Sequence, residues 1–179
     1  MDGTPAGFYI REGSDKKLFM IDLKGGGACF NKPACDERVA KKKGGNHRWD
    51  DYMEGGNTLH ADCKKNPDFC DATAIFVPYC TGDQHLGMRE VGSPESFGHR
   101  FQGRLNLELM LDILIADYGL GEPGIMVLLT GASAGAHSAF LTVDWMADRL
   151  PNAIVKAAPR VGKIEKYESI LHCSNEYSI

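Results

Sequence analysis

The 179-residue chain reads as an α/β fold built on a mostly parallel sheet. Two observations carry that reading. Short, continuously apolar runs, Ala74–Val77 (AIFV) and Ile125–Leu129 (IMVLL), have the character of strands buried on both faces. Longer stretches with helical spacing lie between and after them, so strand and helix alternate through the second half of the chain.

Taken in order, Gly7–Ile10 and Leu18–Leu23 (LFMIDL) predict two strands, separated by the turn-like Glu12-Gly13-Ser14-Asp15. The second strand runs straight into Gly25-Gly26-Gly27. From Asn31 to Asp71 the chain is polar, glycine-rich and cysteine-bearing, which predicts a long irregular insertion. Ala74–Val77 is the next strand, closed by Pro78, and Thr81–Gln102 is a loop with Gly, Pro and Ser throughout. Arg104–Tyr118 is apolar at positions 105, 109, 110, 111 and 113 to 116, so a helix packed deeply on the sheet is expected. Gly119 and Pro123 end it. Ile125–Leu129 is a buried strand, Ala134–Arg149 a helix, and Ala153–Ala157 a further strand.

Composition narrows the function. Hydrophobic residues make up 43% of the chain and charged residues 25%, ordinary values for a globular domain able to bury a core. A net charge of -4 argues against a nucleic-acid binder. The short basic run Lys41–Lys43 stands beside two glycines and reads as a solvated loop. No apolar stretch is long enough to span a membrane, and Met1–Gly7 lacks the apolar core of a signal peptide. Six cysteines (Cys29, Cys35, Cys63, Cys70, Cys80 and Cys173) point to disulfides in an oxidising compartment, with the pairing open. Neither Cys-x-x-Cys nor His-x-x-x-His occurs, so no metal site and no cofactor are expected.

The chemistry concentrates at Gly131-Ala132-Ser133-Ala134-Gly135. Gly-x-Ser-x-Gly alone is a weak signal, but here a buried strand precedes it and a helix follows, the context a nucleophile elbow needs. Such a turn forces the serine into strained backbone angles, and the flanking glycines remove side chains that would clash. Ser133 would then stand at the positive end of a helix, which favours a developing oxyanion. The alternative is a strand-to-helix turn whose serine merely caps the helix. Gly25-Gly26-Gly27, at another strand end, is placed where hydrolases of this type supply oxyanion N–H groups, with a flexible turn as the alternative. The N–H groups of Gly26, Gly27 and Ala134 would make the hole.

Four segments together resemble one family. They are DGTPAGFYI (Asp2–Ile10), KGGGACFNKPAC (Lys24–Cys35), NPDFCDATAIFVPYCTGD (Asn66–Asp83) and LLTGASAGAHSAFLTVD (Leu128–Asp144). In this order they resemble the pectin acetylesterase family that also contains Notum, over about residues 2–157. The resemblance implies an α/β-hydrolase-like secreted carboxylesterase with Ser-Asp-His chemistry, acting on an acylated polysaccharide or another extracellular acyl ester. It makes Ser133 the nucleophile, and Gly26, Gly27 and Ala134 the oxyanion donors. It also implies a Cys29–Cys35 disulfide, and it puts Asp83 and His85 at the border of the substrate pocket. A surface-loop histidine is the other reading of His85.

Departures from the family pattern are visible as well. Lys24 replaces a glutamate, Ala28 a tryptophan or tyrosine, and Ala136 a glycine. Residues 1–157 read as the N-terminal part of the esterase domain and 158–179 as an unmatched tail. In this fold class the acid and base follow the serine, and the remaining residues are too few for those elements. His137 is one turn along the helix from Ser133 and reads as a packing residue; Asp144 and Asp148 are poorly placed, and His172 lies in the tail. A truncated fold with an incomplete triad is the expectation, and a non-catalytic binding module is the alternative function.

Overall fold

The computed structural model describes residues 1–160. Among these residues five strands form one sheet: β1 (Tyr9–Arg11), β2 (Asp15–Leu23), β3 (Ala72–Val77), β4 (Met126–Ala132) and β5 (Ile154–Arg160). Three α-helices accompany them: α1 (Lys32–Ala40), α2 (Gly103–Tyr118) and α3 (Ala134–Arg149). The strand order is β1-β3-β2-β4-β5. Only β1 is antiparallel to its neighbour; the other pairings are parallel. The sheet is therefore mostly parallel.

Register determines where the loops emerge. Leu23 of β2 lies level with Val77 of β3 and Gly131 of β4, and Gly131 lies level with Pro159 of β5. The carboxyl ends of four parallel strands thus open onto one rim, the usual place for a ligand crevice in an open α/β sheet.

One face of the sheet carries the main core. Phe19, Ile21 and Leu23 of β2, Ile75 and Val77 of β3, and Val127 and Leu129 of β4 pack against Leu107, Leu111 and Leu114 of α2 and Met146 of α3. Each such side chain contributes roughly 1.5–3 kcal/mol on burial. Alternation sends Met20 of β2 and Ala74 of β3 to the opposite face, where Leu59 and Phe69 of the long loop cover them. Beyond that cover, Met126 and Ile154 remain exposed, as do Phe140 and Leu141 on the outside of α3.

Three expectations need correction. The stretch from Asn31 to Asp71 is not irregular throughout, because α1 opens it. The Asn31 side chain accepts a hydrogen bond from the Ala34 N–H at 2.9 Å, and Pro33 stands in the first turn. Asn and Pro at these positions are common at the start of a helix, a signal passed over when the whole stretch was read as irregular. The missing signal was an apolar stripe, since Cys35 is the helix's one buried residue. The edges of the strands also differ. β2 starts at Asp15, through a register irregularity before Phe19, and β5 runs on to Arg160 as it pairs along the whole of β4.

Candidate active site

β4 ends at Ala132 and α3 begins at Ala134, so Ser133 alone makes the turn between them. Its backbone sits at φ 53° and ψ -118°, a strained conformation for a residue with a side chain. The side chain makes no capping hydrogen bond and the residue is exposed, which disposes of the helix-cap reading. The surroundings enforce the strain. A Cβ at Gly135 would stand 1.9 Å from the carbonyl oxygen of Leu23, and one at Gly131 would stand 2.5 Å from Gly135 backbone. Glycine at both places lets the elbow press against the end of β2. Ala134 opens the helix, so its N–H has no intrahelical acceptor. The Ser133 N–H donates to the carbonyl of Arg160 at 3.4 Å, tying the turn to the end of β5.

A glycine loop, residues 24–28, faces this turn. Gly25 is the contact residue: a Cβ there would stand 2.2 Å from the Ala132 carbonyl oxygen and 3.1 Å from the Ser133 Cβ. Sequence reasoning passed over it in favour of its two neighbours. Gly26 and Gly27 follow as exposed residues at φ +154° and +71°, in backbone conformations that favour glycine.

Behind the loop stands a brace that only the fold assembles. Arg38 of α1 donates from Nη1 to the Gly26 carbonyl at 2.7 Å, with its guanidinium 4.6 Å from the centre of the Tyr79 ring. His85 also packs on Tyr79, ring centres 4.7 Å apart. His85 Nε2 is 3.0 Å from the Lys24 carbonyl; since a carbonyl only accepts, Nε2 carries the proton. Burial pushes the imidazole below the usual histidine range and keeps it neutral. Burial likewise pushes the Tyr79 phenol up to about 12, and its oxygen accepts the Gln84 N–H at 2.6 Å.

His85 is 3% exposed, so it is not a surface-loop residue. It lines a small, partly open pocket of about 80 Å³ with Val77, Pro78 and Thr81. Asp83 is a knot beside it. Its carboxylate accepts from Thr81 Oγ1 at 2.5 Å and from the N–H groups of His85, Gly87 and Gly103 at 3.0, 3.2 and 2.8 Å. His85 thus supports the glycine loop at the Lys24 carbonyl, and Asp83 holds the backbone of His85. The sulfurs of Cys29 and Cys35 are joined, which fastens the loop's far end to α1, and Cys63 is joined to Cys70.

Asp22 sits near the end of β2, buried, and accepts from the Arg160 guanidinium. Burial raises its carboxyl above the usual range, and Arg160 partly opposes the shift.

Among the described residues no side chain is hydrogen-bonded to the Ser133 hydroxyl. His137 is exposed on α3 and lines an apolar hollow with Phe140, Leu141 and Pro159. Asp144 and Asp148 are exposed further along α3, and His172 lies outside the described residues. The one close group of metal-type ligands among the described residues is Cys63, Cys70 and Asp71, whose sulfurs are already spent in a disulfide. No helix among the described residues is long and apolar enough to cross a membrane.

Comparison with known proteins agrees with this geometry. A family model described as Pectinacetylesterase matches residues 1–170. The palmitoleoyl-protein carboxylesterase NOTUM of Homo sapiens is 31% identical over 152 residues, covering 83% of this chain and 30% of that protein. Pectin acetylesterase 5 of Arabidopsis thaliana is 28% identical over 159 residues, covering 87% of this chain and 37% of its own length. A solved structure of the Wnt deacylase Notum from Drosophila superposes with a TM-score of 0.77 at 28% identity, over 89% of this chain and 47% of that one. The chain spans about a third of the length of the curated relatives it matches.

Proposed function

The chain belongs to the pectinacetylesterase family, and from that premise we propose that it carries the nucleophile half of a serine carboxylesterase. The observation that supports this most directly is Ser133, held at positive φ on an exposed turn with the glycine loop against it. In the proposed reaction the Ser133 hydroxyl attacks an ester carbonyl and its proton passes to a base. The tetrahedral oxyanion is stabilised by the N–H groups of Gly26, Gly27 and Ala134, aided by the α3 dipole. Collapse expels the alcohol and leaves an acyl-serine, which water then hydrolyses to the free acid.

In this fold class the Asp and His of the triad come later in the chain than the serine. The described residues bring neither to Ser133. The substrate class is an acylated polysaccharide or another extracellular acyl ester, and the two disulfides support an oxidising compartment. Asp83 and His85 act as supports for the floor of the pocket.

The test is hydrolysis of p-nitrophenyl acetate by the 179-residue chain and by the same chain joined to a family C-terminal half, each with its Ser133→Ala variant. Feeble turnover by the first and robust, serine-dependent turnover by the second are expected. Turnover that survives Ser133→Ala would remove Ser133 from the mechanism.

A further inference from the structure

On the face of the sheet away from α2 and α3 lies a cavity of about 330 Å³. Its floor is strand: Tyr9 and Arg11 of β1 stand opposite Phe76 and Ala74 of β3. Its roof is the long loop, with Met53, Leu59 and His60. Two of the three guanidinium nitrogens of Arg11, Nε and Nη2, are buried without a hydrogen-bond partner among the described residues. No carboxylate of the described residues lies within ion-pair distance of it. The third nitrogen, Nη1, has no partner among the described residues either and stays accessible on this half-buried side chain, so it is the nitrogen open to an anion, with no carboxylate already holding it.

The other polar groups of the cavity agree. His60 Nδ1 accepts the Asp62 N–H at 2.9 Å, which puts the ring proton on Nε2 and leaves that N–H free to donate. The Tyr9 hydroxyl is already engaged, donating to the Asp50 carbonyl at 2.6 Å. Phe76, Leu59, Met53 and Ala74 make the remaining wall apolar. Glu54, exposed in the roof loop, is the cavity's one acidic group.

We propose that this cavity is a binding site for an amphipathic carboxylate, its head on Arg11 and its apolar body against Phe76 and Leu59. The size suits a small ligand, at the low end of the range for such sites. The site is independent of Ser133, which stands on the rim at the end of β4.

The test is calorimetric titration of the chain at neutral pH with octanoate, and with octanol as the uncharged control. Saturable octanoate binding is expected, with octanol roughly 10- to 100-fold weaker, the worth of one charge-assisted pair. Arg11→Gln should weaken octanoate by the same factor without changing the urea midpoint downward. Ala61→Leu, which fills the cavity and leaves Arg11 in place, should also weaken it, and this variant decides the matter if Arg11→Gln does not fold. Glu54→Gln should tighten binding by removing a like charge. Equal affinity for octanol, or for Arg11→Gln, would overturn the proposal. So would binding seen only in Glu54→Gln, since Glu54 would then be the counter-ion of Arg11 itself.

Discussion

Arg38 donates to the carbonyl oxygen of Gly26 at 2.7 Å, so the first helix grips the backbone of the glycine loop from behind. Among the described residues, the amide N–H groups of Gly26 and Gly27 donate no backbone hydrogen bond. Arg38→Met should lower stability by about 1–2 kcal/mol, the worth of a hydrogen bond to a charged donor. Hydrogen exchange at the amides of residues 26–28 should speed up while the strands keep their protection. Arg38→Lys should recover part of both. Unchanged exchange in the methionine variant would show that the brace does not hold the loop.

Ser133 is strained for the sake of its exposure. Ser133→Gly should therefore raise stability by roughly 1 kcal/mol once glycine's extra chain entropy is subtracted, read as a higher urea midpoint. The same change removes the hydroxyl and any acylation. A loss of stability in Ser133→Gly would mean that the positive φ carries no strain.

His85 makes stability depend on pH. Burial depresses its folded pKa below the ordinary value of 6.5, so the unfolded chain binds the proton more readily. Its contribution is therefore fully present above pH 6.5 and is lost as pH falls through the lower folded value. His85→Gln keeps an N–H for the Lys24 carbonyl but does not titrate. Urea midpoints measured between pH 7 and pH 5 should fall less steeply in this variant than in the parent.

The Cys29–Cys35 bridge closes a short loop, the two residues being six apart. Chain-entropy reasoning gives it about 2 kcal/mol. The Cys29→Ser, Cys35→Ser double variant should lose that amount, and the loss should be largest in the exchange of residues 25–30. Peptide mapping without reductant should recover Cys29 with Cys35 and Cys63 with Cys70; a different pairing would contradict the fold around the loop.

The sequence by itself determined the alternation of β3, α2, β4 and α3 and the elbow at Ser133. Those features are written locally: continuous apolar runs of strand length, helical spacing, Gly119 as a helix stop, and glycines two residues either side of the serine. Helix α1 was written only in its cap, because a helix that buries Cys35 alone has no stripe to read. The tertiary structure decided what no local pattern encodes, namely which side chains meet across long separations. Lys24 and His85 are 61 residues apart, and Asp22 and Arg160 are 138 apart. Only the strand order β3-β2-β4-β5 brings each pair to the same rim. Gly25 became the contact to Ser133 for the same reason, since β2 and β4 are neighbours whose ends are level at Leu23 and Gly131. Periodicity tells a residue which face it occupies; pairing and register tell it what stands opposite, and those depend on the whole chain.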